Sequence, residues 1–466
     1  MLEVTAHSAA DDRDEFGRPK APLSTGRLLA VTAYWLAITS LMGALTFSVI
    51  PRLVESPGVL GSAQHPLAGL AIGAITTVGV LIAIVVQPTM GAISDHTRHR
   101  LGRRKPYIVA GTMMDLVFLA FLAWAFWNEL YWPFLAGVAL LQFSSNFAQG
   151  PYQGYVPDLV PSRQVGVASG LLGAANLAGN LIGPGIAILF ISILPGVLGF
   201  PEITLGLFVA VGLIEVVTML ITVIWVPDRP APPNELGLLE RAKSAWGTDI
   251  LAEKDFVWVM VSRLLVLTGL VTLQAFAVFY LENAHHMTPD EAQGSAFPVL
   301  ITMLVAALIA AIPGARISSR IGRKPVLYVA IGLGAVGGLL LAVAPGYPVV
   351  LAAAIPIGIC SGVFLGVDWA LMTDIIPKAQ SGRYMGISNI AVAGAGPIGS
   401  AVGGLITFLI ALFIADRLIA ADIAYRALFV VMALELALGA LALRRVREPI
   451  HSGSKSTADD PAPAAA

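Results

Sequence analysis

The stretch Gly91–Gly111, GAISDHTRHRLGRRKPYIVAG, sets five Arg or Lys, two His and one Asp between two long apolar runs. Charge this dense is unusual in a chain of 466 residues that is 57% hydrophobic and only 12% charged, with a mean hydropathy of +0.81. A soluble globular chain carries roughly a quarter charged residues. The composition is therefore that of an integral membrane protein, and the knot reads as a loop between two spans. A net charge of −1, dispersed over short loops, leaves no basic face for nucleic acid.

Outward from the knot, runs of the roughly 20 apolar residues that a spanning helix needs fall at 28–50, 67–93, 106–127, 132–158, 165–194, 203–226, 256–281, 295–313, 325–345, 348–374, 383–414 and 425–444. They lack the period-two alternation of barrel strands. The expected fold is all-α and polytopic, with twelve helices. The polar segment from Val226 to Phe256 divides them six and six, and around ELGLLERAKSAW it reads as a short amphipathic helix. The expected organisation is a tail (1–27), a first bundle (28–226), a linker (227–255), a second bundle (256–445) and a disordered tail (446–466).

Of the 28 Lys and Arg, all but Arg52, Arg263, Arg417 and Arg426 fall in tails and loops on one side of such a topology. Because positive loops stay in the cytoplasm, both termini are expected there, in a cell (inner) membrane. The N-terminus lacks the apolar core of a cleavable signal. Cys360 is the single cysteine, so an intramolecular disulfide is excluded. His96 and His99 have no Cys or further His nearby, and no metal or cofactor is expected. HHMTPD has an acyltransferase-like His-to-Asp spacing without a partner motif, and no enzyme is expected.

The two halves repeat. PDLVPSRQVGVASGLLGAANLAGNLIG, from Pro157, lies over TDIIPKAQSGRYMGISNIAVAGAGPIG, from Thr373, pairing Asp158 with Asp374, Pro161 with Pro377, Gly166 with Gly382 and Gly170 with Gly386. GARISSRIGRKPVLYVA, from Gly314, echoes the knot and sets Ser318 where Asp95 stands. Duplicated halves suit alternating access to a site near the bilayer midplane. The small-residue spacings Gly179/Gly183 and Gly399/Gly403 let helices approach closely and are expected to serve sliding of spans 5 and 11 against the opposite half.

G-x-x-x-D-x-x-x-x-x-x-G-R-R-K in the knot, its decayed copy and the twelve spans resemble the major facilitator superfamily over essentially the whole chain. SSNFAQGPYQGYVPDLVP and RLGRRKPYI are similar to the span 4 pattern and the 2/3 loop of sucrose transporters and their bacterial glycoside-carrying relatives. That resemblance implies proton-coupled import of a disaccharide-like sugar. Two positions depart from it: Gln142 stands where the plant proteins have a coupling aspartate, and Gln153 where they have a basic residue. Spans 1 and 2 carry no acid, which argues against sodium coupling of the melibiose-carrier kind.

A charged side chain at mid-span costs about 2.5–3.5 kcal/mol on insertion scales and marks function. Five such candidates for proton coupling are Asp368, Arg263, Asp115, Glu215 and Glu435. The family places spans 1, 4, 7 and 10 around the cavity, which favours Asp368 and Arg263 and implies structural roles for the other three. A sugar site needs flat apolar faces and many hydrogen-bonding groups; Trp35, Gln142, Asn146, Gln149, Gln153, Gln274 and Trp369 supply both. Gate residues by family motif are Gly91, Asp95, Arg98, Gly102, Arg103, Arg104, Asp158, Gly322, Arg323 and Asp374, with Asp95 expected to meet the start of span 11. The chain reads as a monomeric carrier of a small-molecule substrate in a lipid bilayer. A proton-antiport exporter of a drug or metabolite stays open as an alternative, as does a non-transporting membrane sensor.

Overall fold

A computed structural model describes residues 18–54, 56–60, 68–190, 200–231, 248–377, 380–413 and 417–447, with 237, 240, 243 and 246 between them. The outer tails and most of the expected linker helix lie outside the described residues. Twelve long helices are described. They are α1 (Thr25–Ala44), α2 (Ala68–Asp95), α3 (Lys105–Trp127), α4 (Tyr131–Gln153), α5 (Val165–Ile188) and α6 (Phe200–Trp225). After the linker follow α7 (Lys254–Ala284), α8 (Pro289–Ile321), α9 (Arg323–Ala342), α10 (Tyr347–Ile375), α11 (Ser381–Phe413) and α12 (Arg417–Leu443).

Eleven of these stretches are long and apolar enough to cross a membrane. The twelfth, α4, falls short because it carries Gln142, Ser144, Ser145, Asn146, Gln149 and Gln153. Helix α1 runs on through a π turn at Leu45–Val49 into Ile50–Val54, just before Pro51, which has no N–H to donate. The expected fourth span, 132–158, breaks at Gly154 into α4 and the short helix Tyr155–Leu159. Helix α8 is far longer than the expected 295–313. Its start is fixed at Thr288, where a capping box with Glu291 satisfies the first-turn N–H groups, and it carries Pro298 and Pro313 inside it.

One packing pattern builds both halves. In the first, α1 lies against α5 and α6, α4 against α2 and α3, and α3 against α6. In the second, α7 lies against α11 and α12, α10 against α8 and α9, and α9 against α12. Contacts between the halves are likewise paired: α2 with α11 answers α8 with α5, and α4 with α11 answers α10 with α5. The glycines at these cross-half contacts are not the ones expected. Gly179 and Gly183 sit against Thr39 and Ser40 of α1, and Gly399 and Gly403 against Thr268 and Phe276 of α7. Each of those contacts stays inside one half. The cross-half contacts use Gly166, Gly170 and Gly173 on α5 and Gly382 and Gly386 on α11, nearer the helix starts, where the halves converge.

Candidate functional site

The face that carries residue 18, the knot, the linker and residue 447 is held shut by ionic contacts. Arg104, immediately before α3, is fully buried. Its guanidinium donates to Asp95 Oδ1 (2.6 Å), Asp158 Oδ2 (3.0 Å), Ser94 Oγ (2.5 Å) and, across the halves, Ser381 Oγ (3.0 Å). Asp95 in turn accepts from the backbone N–H groups of Gly382 (3.1 Å) and Arg383 (3.0 Å). These are first-turn donors of α11 that have no partner within the helix, and the positive end of its dipole favours an acid there. Arg103 adds an ion pair to Asp158 at 2.6 Å. Burial pushes the Asp158 carboxyl up, but Arg104 and Arg103 outweigh it and hold the group below the ordinary carboxylate range.

Helices α2 and α11 cross at this point glycine to glycine: a Cβ on Gly91 would strike the Gly382 carbonyl, and one on Gly382 would strike Gly91. Gly102 (φ 112°) and Gly322 (φ 99°) both hold the left-handed backbone that glycine tolerates, and they turn the two knots into α3 and α9. Arg98 shows no ion pair or side-chain hydrogen bond among the described contacts and is exposed.

The second knot repeats the geometry without the acid. Arg323 pairs with Asp374 (3.2 Å) and donates to the hydroxyls of Ser318 (3.0 Å) and Ser319 (2.9 Å). Asp374 has a second cation, as Asp158 does, but it comes from the N-terminal tail. Arg18, fully buried, lies 3.1 Å from Asp374 Oδ1 and donates to the Thr373 carbonyl at 2.6 Å. Two linker acids complete the belt. Asp228 accepts from the N–H groups of Arg104 and Lys105, capping α3, and Asp249 takes a two-point contact from Arg383 at 2.6 and 2.8 Å. Sequence reasoning missed Arg18, Asp228 and Asp249. Only Asp228, just past the end of the sixth expected span, stood close enough to a span end to be noticed.

Deeper in, the halves meet at an aromatic floor. Trp35 of α1 and Trp369 of α10 stand edge to face with centroids 5.2 Å apart, and Trp35 stacks on Tyr152 of α4 at 6.1 Å. Beside them Asp368 is ion-paired with Arg263 of α7 at 2.5 Å, and the guanidinium lies 5.9 Å from the Trp369 ring centroid.

Not every expected site residue gathers here. Gln274 of α7 is exposed and Gln149 half-buried, while Gln153 is buried with neither amide atom hydrogen-bonded. Gln87 of α2 shares that state and was not foreseen. Asn146 donates to Gln142, whose amide reaches Met42 of α1. Glu435 lies beside Gly269 of α7, inside the second bundle. Asp115 and Glu215 face each other inside the first. Among the described residues no His, Cys, Asp and Glu cluster with metal-binding geometry.

Two six-helix units of one design, joined at a closed face above a buried aromatic and ionic floor, define a two-bundle membrane carrier. A family model for the Major Facilitator Superfamily matches residues 23–400 and 299–466. The chain belongs to that superfamily, whose members are carriers rather than enzymes.

Among curated proteins it is similar to a sucrose transport protein of Arabidopsis thaliana, 27% identical over 195 residues, covering 39% of this chain and 36% of that one. It is also similar to the general alpha-glucoside permease of Schizosaccharomyces pombe, 26% identical over 170 residues, covering 34% and 31%. The chain thus spans about a third of the length of the curated relatives it matches. Among solved structures, the human organic anion transporter MFSD10 has a TM-score of 0.67 at 17% identity, covering 90% of this chain and 100% of that one. The Escherichia coli fucose:proton symporter has a TM-score of 0.63 at 14% identity, covering 89% and 98%. These likenesses establish the fold.

Proposed function

We propose that the chain is a proton-coupled importer of a neutral sugar or glycoside of disaccharide size, working by alternating access as a monomer in the cell membrane. The observation that carries this reading is the floor. Trp35, Tyr152 and Trp369 bring flat aromatic rings together where the halves meet, beside the Arg263–Asp368 pair. A sugar ring needs such faces for its C–H surface and polar groups for the hydroxyls it strips of water. The names of the sucrose and alpha-glucoside relatives agree with that chemistry. The distribution of Lys and Arg supports cytoplasmic termini, which makes the closed face the cytoplasmic one and this conformation outward-facing.

The test is made in proteoliposomes holding a pH-sensitive dye. Sucrose or maltose added outside must acidify the lumen, and one of them must accumulate against its gradient when the exterior is acid. A proton entering down 100 mV releases about 2.3 kcal/mol, enough for roughly 50-fold accumulation. Proton movement in the opposite direction, elicited by apolar drugs and not by sugars, would replace this reading with antiport export.

A further inference from the structure

The first bundle contains a second, wholly buried group of acids that the aromatic floor does not include. Asp115 lies ten residues into α3 and Glu215 ten residues from the end of α6. At 1.5 Å per residue both stand ~15 Å from the closed face, about half the thickness of the hydrocarbon core. Their side chains meet, and they are 0% and 2% exposed. Asp115 Oδ1 accepts the Ser144 hydroxyl of α4. Glu215 Oε1 accepts the Tyr34 hydroxyl of α1 at 3.5 Å, and Tyr34 is 2.8 Å from Thr112 of α3. The remaining oxygens, Asp115 Oδ2 and Glu215 Oε2, are buried without a hydrogen-bond partner.

Around this group, every helix packed against it contributes a neutral side chain: Tyr34 from α1, Thr112 from α3 itself and Ser144 from α4. No Lys, Arg or His pairs with either acid among the described residues. Two adjacent carboxylates in a dry, cation-free interior cannot both carry charge. A proton on one carboxyl supplies the donor that the other lacks. Glu435 of the second bundle also has an unpartnered buried oxygen but is only half-buried; the fully buried acids Asp368 and Asp158 differ. Asp368 is balanced by Arg263, and Asp158 is held ionised by two arginines. The acid pair is also mechanically joined to the floor, since the Tyr34 ring lies 5.3 Å from that of Tyr152, which stacks on Trp35.

We propose that the Asp115–Glu215 carboxyl pair is the seat of the transported proton, with the Arg263–Asp368 ion pair serving the substrate chamber. The inference deepens the proton-coupled reading above and rests on it. A hydronium ion delivers a second proton to the remaining carboxylate oxygen of the singly protonated pair, forming one O–H bond and leaving water. When the bundles reopen toward the face carrying the termini, that O–H bond breaks and water takes the proton away. One positive charge crosses per cycle. Substrate pressing on Trp35 is felt by the pair through Tyr152 and Tyr34.

Infrared spectroscopy of the purified wild-type protein tests the seat without any substrate. A protonated-carboxyl C=O band that shifts in D2O is expected, lost in Asp115→Asn/Glu215→Gln and kept in Asp368→Asn. Glu215→Gln alone, a smaller perturbation should the double variant misfold, must shift or remove the band. Absence of the band in wild type, or its loss in Asp368→Asn instead, overturns the proposal.

In proteoliposomes, a pH step of one unit should support about tenfold accumulation of labelled sucrose in wild type and none in Glu215→Gln, whose pH profile of sucrose exchange should flatten. A Glu215→Gln protein that still accumulates sucrose overturns the seat. Wild type that moves no sugar while showing the infrared result refutes the functional reading and leaves the seat standing.

Discussion

At the scale of the residue, Arg104 is the most heavily used side chain on the closed face, joining α2, the short helix Tyr155–Leu159 and α11 through a single guanidinium. Truncating one partner of a buried ion pair costs about 3–5 kcal/mol because the other charge is left behind. Arg104→Ala is therefore expected to cut initial uptake in proteoliposomes by more than tenfold while the protein still inserts; uptake within twofold of wild type would contradict this. The second knot invites the opposite change. Ser318→Asp would give Arg323 a carboxylate and place an acid near the start of α5, an arrangement worth up to ~2 kcal/mol when partly buried. The expected result is a higher melting temperature with a lower turnover rate, since closure tightens and release slows. The difference between Asp95 and Ser318 was legible in the sequence because each sits in a copied motif. Arg18, Asp228 and Asp249 were not, because their partners lie far along the chain and no repeat or motif marks them. The facing of Asp115 and Glu215 was likewise hidden: helix number alone put both outside the cavity, whereas which way each helix turns its acid depends on tertiary packing.

At the scale of the element, the glycine crossing of α2 and α11 fixes how closely the gate can shut. Gly382→Ala would drive a methyl group into Gly91, so the crossing must widen. Uptake should fall at least tenfold. Gly396 of the same helix has open space where its Cβ would go, and Gly396→Ala should transport within about twofold of wild type. Equal losses in the two variants would mean that helix propensity, not the crossing, sets the rate. Most helix cores were readable from apolar runs, but their ends were not. Helix α8 begins at Pro289 under the Thr288 cap, six residues before its apolar run, because its first turns are held by capping rather than by burial in lipid. Helix α4 shows the converse: its polar face weakens the membrane signal while supplying the chemistry.

At the scale of the whole molecule, the two bundles share one packing pattern and meet chiefly through paired helix contacts, so they can rotate against each other as units. The symmetry is incomplete where charge is concerned. On one side of the pseudo-axis the knot supplies both cations for Asp158; on the other, Asp374 borrows Arg18 from the tail. Arg18→Ala should therefore loosen closure selectively beside the second knot, read as faster modification of a cysteine introduced at Ser319 than in the same single-site variant with Arg18 intact. Cys360 is buried and leaves little background for such labelling. Unchanged reactivity would show that Arg323 alone holds Asp374.

The pairing of Arg18 also orders events during biosynthesis. Its carbonyl partner, Thr373, lies 355 residues further along the chain, so at 5–20 residues per second a ribosome needs roughly 20–70 s to deliver it. For that interval the tail waits beside an unfinished carrier, and the seal over the terminal face forms only after the tenth helix has entered the bilayer. A nascent chain stalled before Asp374 would hold nine complete helices and most of the tenth, with the terminal face still unclosed.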